Sequence, residues 1–163
     1  LWYWPCPHCG EFFEAEPGIG LFDLPSLEEL RGLLKSYSVG QLVARHGQPV
    51  HRGCGALIAP EHKRTMNARA VWLAEGERVA RNGEVTGTAR KSQIASFWLG
   101  GVAAAFQVWD KLVAKYLQAV EQWDRSGELT LLRQTTNTDQ GAPFWIPQLG
   151  NGSNTHELQE RCE

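Results

Sequence analysis

The chain has 163 residues, of which 42% are hydrophobic and 21% are charged, and seven of them are tryptophans. This composition excludes a disordered chain and predicts a packed core, either in one domain or in a module attached to part of a larger one. The net charge is −2, but the charges are distributed unevenly along the chain. Residues 1–30 carry no Lys or Arg, and residues 31–60 carry no Asp or Glu. No run is apolar for long enough to predict a membrane span, and no signal peptide opens the sequence, so an intracellular protein without a membrane partner is expected.

The first third of the chain predicts one strand and two helices. Residues 1–5, LWYWP, are an aromatic run closed by proline, which predicts a short strand. Ser26 followed three residues later by Glu29 is a capping box, and leucines follow at helical spacing, so a helix is expected at 26–36. A second helix is expected at 39–46, with the whole segment 26–46 forming a helical insert.

Seven further elements are predicted in the rest of the chain. They are a strand at 56–59, a helix at 60–69, a surface loop at 76–91, a buried strand at 92–99, an amphipathic helix at 106–123, coil beyond 127, and a weak helix in the terminal HELQERCE. Five tryptophans are interpreted as core residues rather than base-stacking platforms: Trp72, Trp98, Trp109, Trp123 and Trp145.

Two short segments share one pattern of side chains. Cys6-Pro7-His8-Cys9-Gly10 and His51-Arg52-Gly53-Cys54-Gly55 each have a metal-ligating residue, two spacers, a second such residue and a glycine. The spacer lets two side chains converge on one ion, and the glycine permits a tight turn whose amides face the thiolates. Two such knuckles supply the four ligands of tetrahedral zinc, so a Cys3His site formed by Cys6, Cys9, His51 and Cys54 is predicted. A closed four-ligand site is structural rather than catalytic. A redox disulfide and simple burial of the cysteines are the alternatives.

The sequence also offers a basic segment but no catalytic motif. Lys63, Arg64 and Arg69 are candidate DNA contacts, although a solvated helix explains them equally well. There is no GxxxxGK[ST] phosphate loop, no GxSxG elbow and no convergent set of acids. The chain itself is therefore expected to contain no catalytic centre.

Taken in order, several motifs resemble the central stretch of the large terminase subunit of tailed bacteriophages, the GpA (lambda-type) family. The motifs are YWPCPHCG, HRGCGALIAPEHKRTMNARAVWL, SFWLGGVAAAFQVWDKLVAKYLQA and NTDQGAPFWIP. The residues that match the family's landmarks are Cys6, Cys9, Cys54, Met66, Trp72, Ser96, Phe97, Trp109, Asn137 and Thr138. His51 stands where the family usually has a cysteine, and this change keeps a zinc ligand.

The resemblance implies an α+β fold, with a zinc ribbon carrying a helical insert, followed by strand and helix elements that complete a larger motor domain. The expected divisions are a zinc-ribbon region at 1–75, a loop at 76–91, a strand plus amphipathic helix at 92–137, and a linker at 138–163 towards a nuclease domain. The parent protein would be an ATPase and endonuclease that uses ATP and Mg. The cofactor of this piece would be structural Zn.

The resemblance also implies partners and a location. The partners would be double-stranded phage DNA, the terminase small subunit and the portal or prohead, in the cytoplasm of the bacterial host. The alternative hypotheses are a free-standing zinc-ribbon module that binds nucleic acid or protein, and a thiol redox protein.

Overall fold

The computed structural model describes residues 1–146, in which short strands and helices are mixed as an α+β fold requires. The strands are β1 (Trp2–Pro5), β2 (Phe12–Glu14), β3 (Val50–His51), β4 (Ala56–Leu57), β5 (Val71–Trp72), β6 (Glu77–Val79) and β7 (Val85–Gly87). The helices are α1 (Leu27–Leu33), α2 (Val39–His46), α3 (His62–Arg69), α4 (Trp109–Ser126) and α5 (Thr130–Gln134). None of these helices is long and apolar enough to cross a membrane.

Two of the antiparallel hairpins carry the cysteine knuckles at their turns. Strand β1 is the centre of a three-stranded sheet with the order β2-β1-β5, and its residue Pro5 lies opposite Phe12 across the first turn. Strands β3 and β4 form a separate pair, in which His51 lies opposite Ala56. The expected strand at 1–5 is confirmed, and the strand expected at 56–59 is shorter than predicted.

The helical insert is confirmed, and both of its helices begin with a complete capping box. Ser26 and Glu29 exchange hydrogen bonds at the start of α1. Ser38 and Gln41 do the same at the start of α2, a box that the sequence analysis did not identify. Both helices pack on α4, with Leu30 fully buried in α1. The insert is thus part of the main core.

The amphipathic helix expected at 106–123 is confirmed as α4, although it begins three residues later. Phe106 lies before it and is exposed. Gly127 ends the helix with a φ of 73°, a left-handed conformation that glycine adopts without steric cost. The buried face of α4 consists of Trp109, Leu112, Val113, Leu117, Ala119, Val120 and Trp123.

One hydrophobic core joins the first sheet to α4. The rings of Trp4 and Trp109 lie with their centroids 6.2 Å apart, and both side chains are almost completely buried. The indole N–H of Trp4 donates to Asn67 Oδ1 at 2.7 Å, and Asn67 Nδ2 donates to the carbonyl oxygen of Ala103 at 2.8 Å. Asn67 of α3 therefore links the sheet to the segment that precedes α4.

The predicted loop at 76–91 is wrong, because this segment contains the β6–β7 hairpin. Arg78 lies opposite Thr86, and the turn contains Asn82 and Gly83, the latter with a φ of 88°. An Asn-Gly pair is a strong hairpin signal. The polar composition of the segment concealed it, since neither face of this hairpin is deeply buried.

The predicted buried strand at 92–99 is also wrong. The segment has no strand pairing and all eight residues are exposed, with Ile94 79% and Phe97 68% accessible. An apolar run predicts burial only if another element covers it, and no element among residues 1–146 does so. Three tryptophans expected in the core are likewise exposed, namely Trp72, Trp98 and Trp145, whereas Trp109 and Trp123 are buried as predicted.

The last described segment contains more helix than the coil expected beyond residue 127. Helix α5 is followed by a π-helical turn, Thr135–Asp139, whose Asp139 accepts a hydrogen bond from Lys115. The helix expected in HELQERCE and most of the expected linker at 138–163 lie outside the described residues.

Candidate metal centre

The first knuckle occupies the turn between β1 and β2. The amide of Cys6 donates to the Glu11 carbonyl oxygen at 2.8 Å, and the amide of Gly10 donates to the Cys6 carbonyl oxygen at 3.0 Å, which closes the turn. Gly10 has a φ of 77°, so the glycine is required by the left-handed backbone at this position. The turn brings Cys6 and Cys9 to the same side of the chain.

The second knuckle repeats this geometry between β3 and β4. The amides of Cys54 and Gly55 both donate to the carbonyl oxygen of His51, at 3.2 and 2.8 Å. Gly55 has a φ of 71°, close to that of Gly10. The shared sequence pattern therefore corresponds to a shared backbone turn.

The four predicted ligands converge across the two knuckles. Their ligand atoms all lie within 4.8 Å of one another. Cys6 Sγ is 3.9 Å from Cys54 Sγ, and His51 Nδ1 is 3.4 Å from Cys9 Sγ and 3.1 Å from Cys54 Sγ. A tetrahedral zinc with Zn–S near ~2.3 Å and Zn–N near ~2.0 Å holds its ligand atoms roughly 3.5–3.8 Å apart. The cluster can hold a metal ion such as zinc.

Backbone amides donate hydrogen bonds to the sulfurs of both cysteines of the first knuckle, and only for Cys9 is the resulting pKa lowered. Burial raises the pKa of the Cys6 thiol, and hydrogen bonds from the amides of Cys9 and His8 partly offset that rise. The amide of Glu11 lowers the pKa of Cys9 by donating to its sulfur. Thiolates are the form that binds metal, so these amides favour the charge state that a cation needs.

His51 is held by an aromatic neighbour. Its side chain is buried, and its ring stacks on Phe13 of β2 with centroids 4.6 Å apart and an interplanar angle of 29°. This contact fixes the ring so that Nδ1 faces the cysteines. Phe13 was not identified from the sequence, because its role depends on the pairing of two distant hairpins. His8 is outside the group of four, with its Nε2 3.1 Å from the Leu57 carbonyl oxygen.

The three basic residues proposed to contact DNA differ in their surroundings. Arg64 and Arg69 are exposed on α3. The ammonium of Lys63 instead donates to the Gln107 carbonyl oxygen at 2.6 Å and lies 5.5 Å from the centre of the Trp109 ring. Burial lowers the pKa of Lys63 to about 8. Lys63 is therefore directed into the protein, and the geometry favours only the two arginines as surface contacts.

The fold and the site together define an α+β protein with a Cys3His cluster on two hairpin turns. Residues 94–163 match a family model described as the endonuclease domain of the terminase large subunit gpA. No curated protein and no solved structure matches the chain. Residues 94–163, which are less than half of the chain, are therefore similar to the nuclease domain of the terminase GpA family.

The position of the match differs from the location that the resemblance implied. The strand plus amphipathic helix expected at 92–137 and the linker expected at 138–163 would precede a nuclease domain, whereas the family model that matches residues 94–163 is that of the nuclease domain itself. The landmarks Ser96, Phe97, Trp109, Asn137 and Thr138 fall inside the matched segment. The four candidate ligands precede it, so the match does not extend to the metal centre.

Proposed function

We propose that the chain is part of a phage terminase large subunit, and that residues 1–75 form a structural zinc-binding connector packed on the start of the nuclease segment. The observation that carries this proposal is the shared core between the two regions. Trp4 packs on Trp109, and Asn67 donates to Ala103, which lies inside the matched segment. A zinc centre at these hairpins would therefore stiffen the surface on which the matched segment packs.

Zinc in this site would act on folding rather than on chemistry. Four protein ligands fill a tetrahedral shell and leave no position for a water molecule. In small zinc peptides such binding contributes roughly 10–16 kcal/mol to folding. The two hairpins that hold the ligands contain few residues each, so the ion would supply the cross-link that their short strands lack.

The activity of the whole protein follows from the family and forms part of the proposal. The parent would package double-stranded phage DNA with ATP and cut it with a Mg-dependent nuclease, alongside the small subunit and the portal, in the bacterial cytoplasm. This piece would connect the ATPase domain to the nuclease domain mechanically and hold the two domains in position. Of the two exposed arginines of α3, Arg69 is the residue proposed to contact DNA, because it lines a cleft beside the first knuckle and Arg64 does not.

Zinc content tests the proposal. Purified protein should contain one zinc per chain by elemental analysis, and His51→Ala and Cys9→Ser should lose most of it. His8→Ala is the matched control, since His8 lies in the first knuckle but outside the ligand group. Wild-type protein that is folded and free of zinc would contradict the proposal, as would equal loss of zinc in His8→Ala.

A free-standing zinc-ribbon module is the second candidate, favoured by the fact that the ligands precede the matched segment. The two proposals differ in what they expect of a fragment ending at residue 91. If residues 1–75 are a connector, they need α4 to cover Trp4. This fragment should then show no cooperative unfolding transition, even with zinc bound. A free-standing module should fold cooperatively on adding zinc.

A further inference from the structure

A cleft of about 300 Å³ lies between the first knuckle and α3, and the candidate ligand Cys6 is part of its lining. One wall is formed by Pro5, Cys6, Pro7 and Gly10 of the knuckle. The other wall is α3, which contributes Met66 and three polar residues, His62, Thr65 and Arg69. These three polar residues follow one another at spacings of three and four along the helix, so they lie on one of its faces.

The chemistry of the cleft is that of an anion site. None of the residues that line it is acidic. Within residues 1–146, the side chains of Thr65 and Arg69 have neither a hydrogen-bond partner nor an ion-pair partner, so their donors are free to bind a ligand. The acid nearest in sequence to the knuckle, Glu11, is neutralised by Arg81 at 2.9 Å.

The charge of a zinc centre does not oppose this interpretation. Three thiolates around Zn²⁺ leave one net negative charge, but Cys6 is the one ligand that lines the cleft, and it is only 3% exposed. The amides of His8 and Cys9 donate to its sulfur. An anion in the cleft would therefore meet Arg69, Thr65 and His62 before it met the thiolate.

We propose that this cleft binds a phosphate group of a nucleic-acid backbone, with Arg69 and Thr65 as its principal donors and His62 beside them. The proposal rests on the proposed function, since it assigns the DNA contact of that protein to one cleft. Binding of a phosphate group in this cleft differs from unspecific attraction of DNA by the positive charge of α3. Arg64 is exposed on the same helix but does not line the cleft, and Lys63 is engaged by Gln107.

Binding of the full, zinc-loaded chain to a short fluorescein-labelled DNA duplex tests the proposal by anisotropy. A charge-assisted contact to phosphate is strong, so Arg69→Gln should weaken binding roughly tenfold and reduce the slope of log K against log salt by about 1. Thr65→Val should weaken binding severalfold. Arg64→Gln removes the same charge five residues away on another face of α3 and should change affinity less than twofold.

Three results would overturn the proposal. In the first, the wild-type protein fails to bind the duplex. In the second, Arg64→Gln loses as much affinity as Arg69→Gln, which would reveal unspecific charge attraction. In the third, inorganic phosphate would shift the Thr65 amide resonance in an Arg69-dependent way while the duplex did not, which would identify free phosphate as the ligand. Zinc content is measured on every sample, so loss of the metal centre is distinguished from loss of the phosphate site.

Discussion

Phe13 stacks on His51, with the two ring centroids 4.6 Å apart, and so couples the strand after the first knuckle to a ligand of the second. The contact brings together residues of two hairpins that are separated by the whole helical insert. Residues that orient a metal ligand without touching the metal commonly matter for affinity. Phe13 is therefore expected to be a positioning residue of the metal centre.

Phe13→Leu should weaken zinc binding by about tenfold, because the His51 ring gains freedom to turn away from the cysteines. A competition titration with a chromogenic chelator measures the affinity. Phe12→Leu is the matched control, since Phe12 is the preceding residue of β2 and its side chain points to the opposite face. Equal effects of the two substitutions would show that the stack does not orient the ligand.

Gly53 leaves little room for a side chain beside the ring of His51. A Cβ at this position would lie 3.0 Å from both Cε1 and Nε2 of His51. Gly53→Ala should therefore displace the ring and lower zinc affinity severalfold.

The control for that substitution is Gly40→Ala in α2, where a Cβ would meet nothing within 4 Å. Alanine is the better helix former, so this change should raise the free energy of unfolding by up to about 1 kcal/mol and leave zinc affinity unchanged. Unchanged zinc affinity in Gly53→Ala would contradict the geometry of the second knuckle.

Asn67→Leu should destabilise the whole fold. It would leave the indole N–H of Trp4 and the carbonyl oxygen of Ala103 without the partner that each has now. Each buried group left unpaired costs about 1–3 kcal/mol, so a loss of roughly 2–5 kcal/mol is expected in urea unfolding. Gln118→Leu, on the exposed side of α4, should change stability by less than about 0.5 kcal/mol. A small effect of Asn67→Leu would contradict the view that one core joins the hairpins to the matched segment.

Lys63 should make stability depend on pH in the alkaline range. Burial lowers the pKa of Lys63 from 10.5 to about 8, so between these values the unfolded chain binds the proton and the folded chain does not. Stability rises with pH wherever the unfolded state binds more protons, so wild-type protein should gain stability relative to Lys63→Met as pH rises through that window. Urea unfolding of both proteins measures the difference.

Arg64→Met is the control for the alkaline effect, because Arg64 is exposed on the same helix. Its difference from wild type should be independent of pH, since an arginine keeps its proton throughout. A parallel pH dependence of wild type and Lys63→Met would show that the ammonium of Lys63 is not buried.

The four residues of the candidate metal centre could be located from the sequence because each knuckle is local. Two side chains three residues apart, followed by a glycine, encode the turn as well as the ligands, and Gly10 and Gly55 both adopt positive φ. The capped helices and α4 were predictable for the same reason, since capping and apolar periodicity are short-range signals. That the two knuckles meet at one site was inferred only because together they supply the four ligands of a tetrahedral zinc ion.

Features that depend on distant partners could not be predicted. The stack of Phe13 on His51 and the link through Asn67 both require strand and helix pairings that no local pattern reveals. The segment 92–99 shows the converse, because its apolar residues predict burial while no element of residues 1–146 covers them.

The decisive measurement is X-ray absorption at the zinc edge of the purified full chain. A Cys3His centre should give a four-coordinate zinc with three sulfur ligands near ~2.3 Å and one nitrogen ligand near ~2.0 Å. The small amount of zinc that His51→Ala retains should show no nitrogen contribution. A zinc with fewer than three sulfur ligands, or a nitrogen contribution that persists in His51→Ala, would contradict the Cys3His centre.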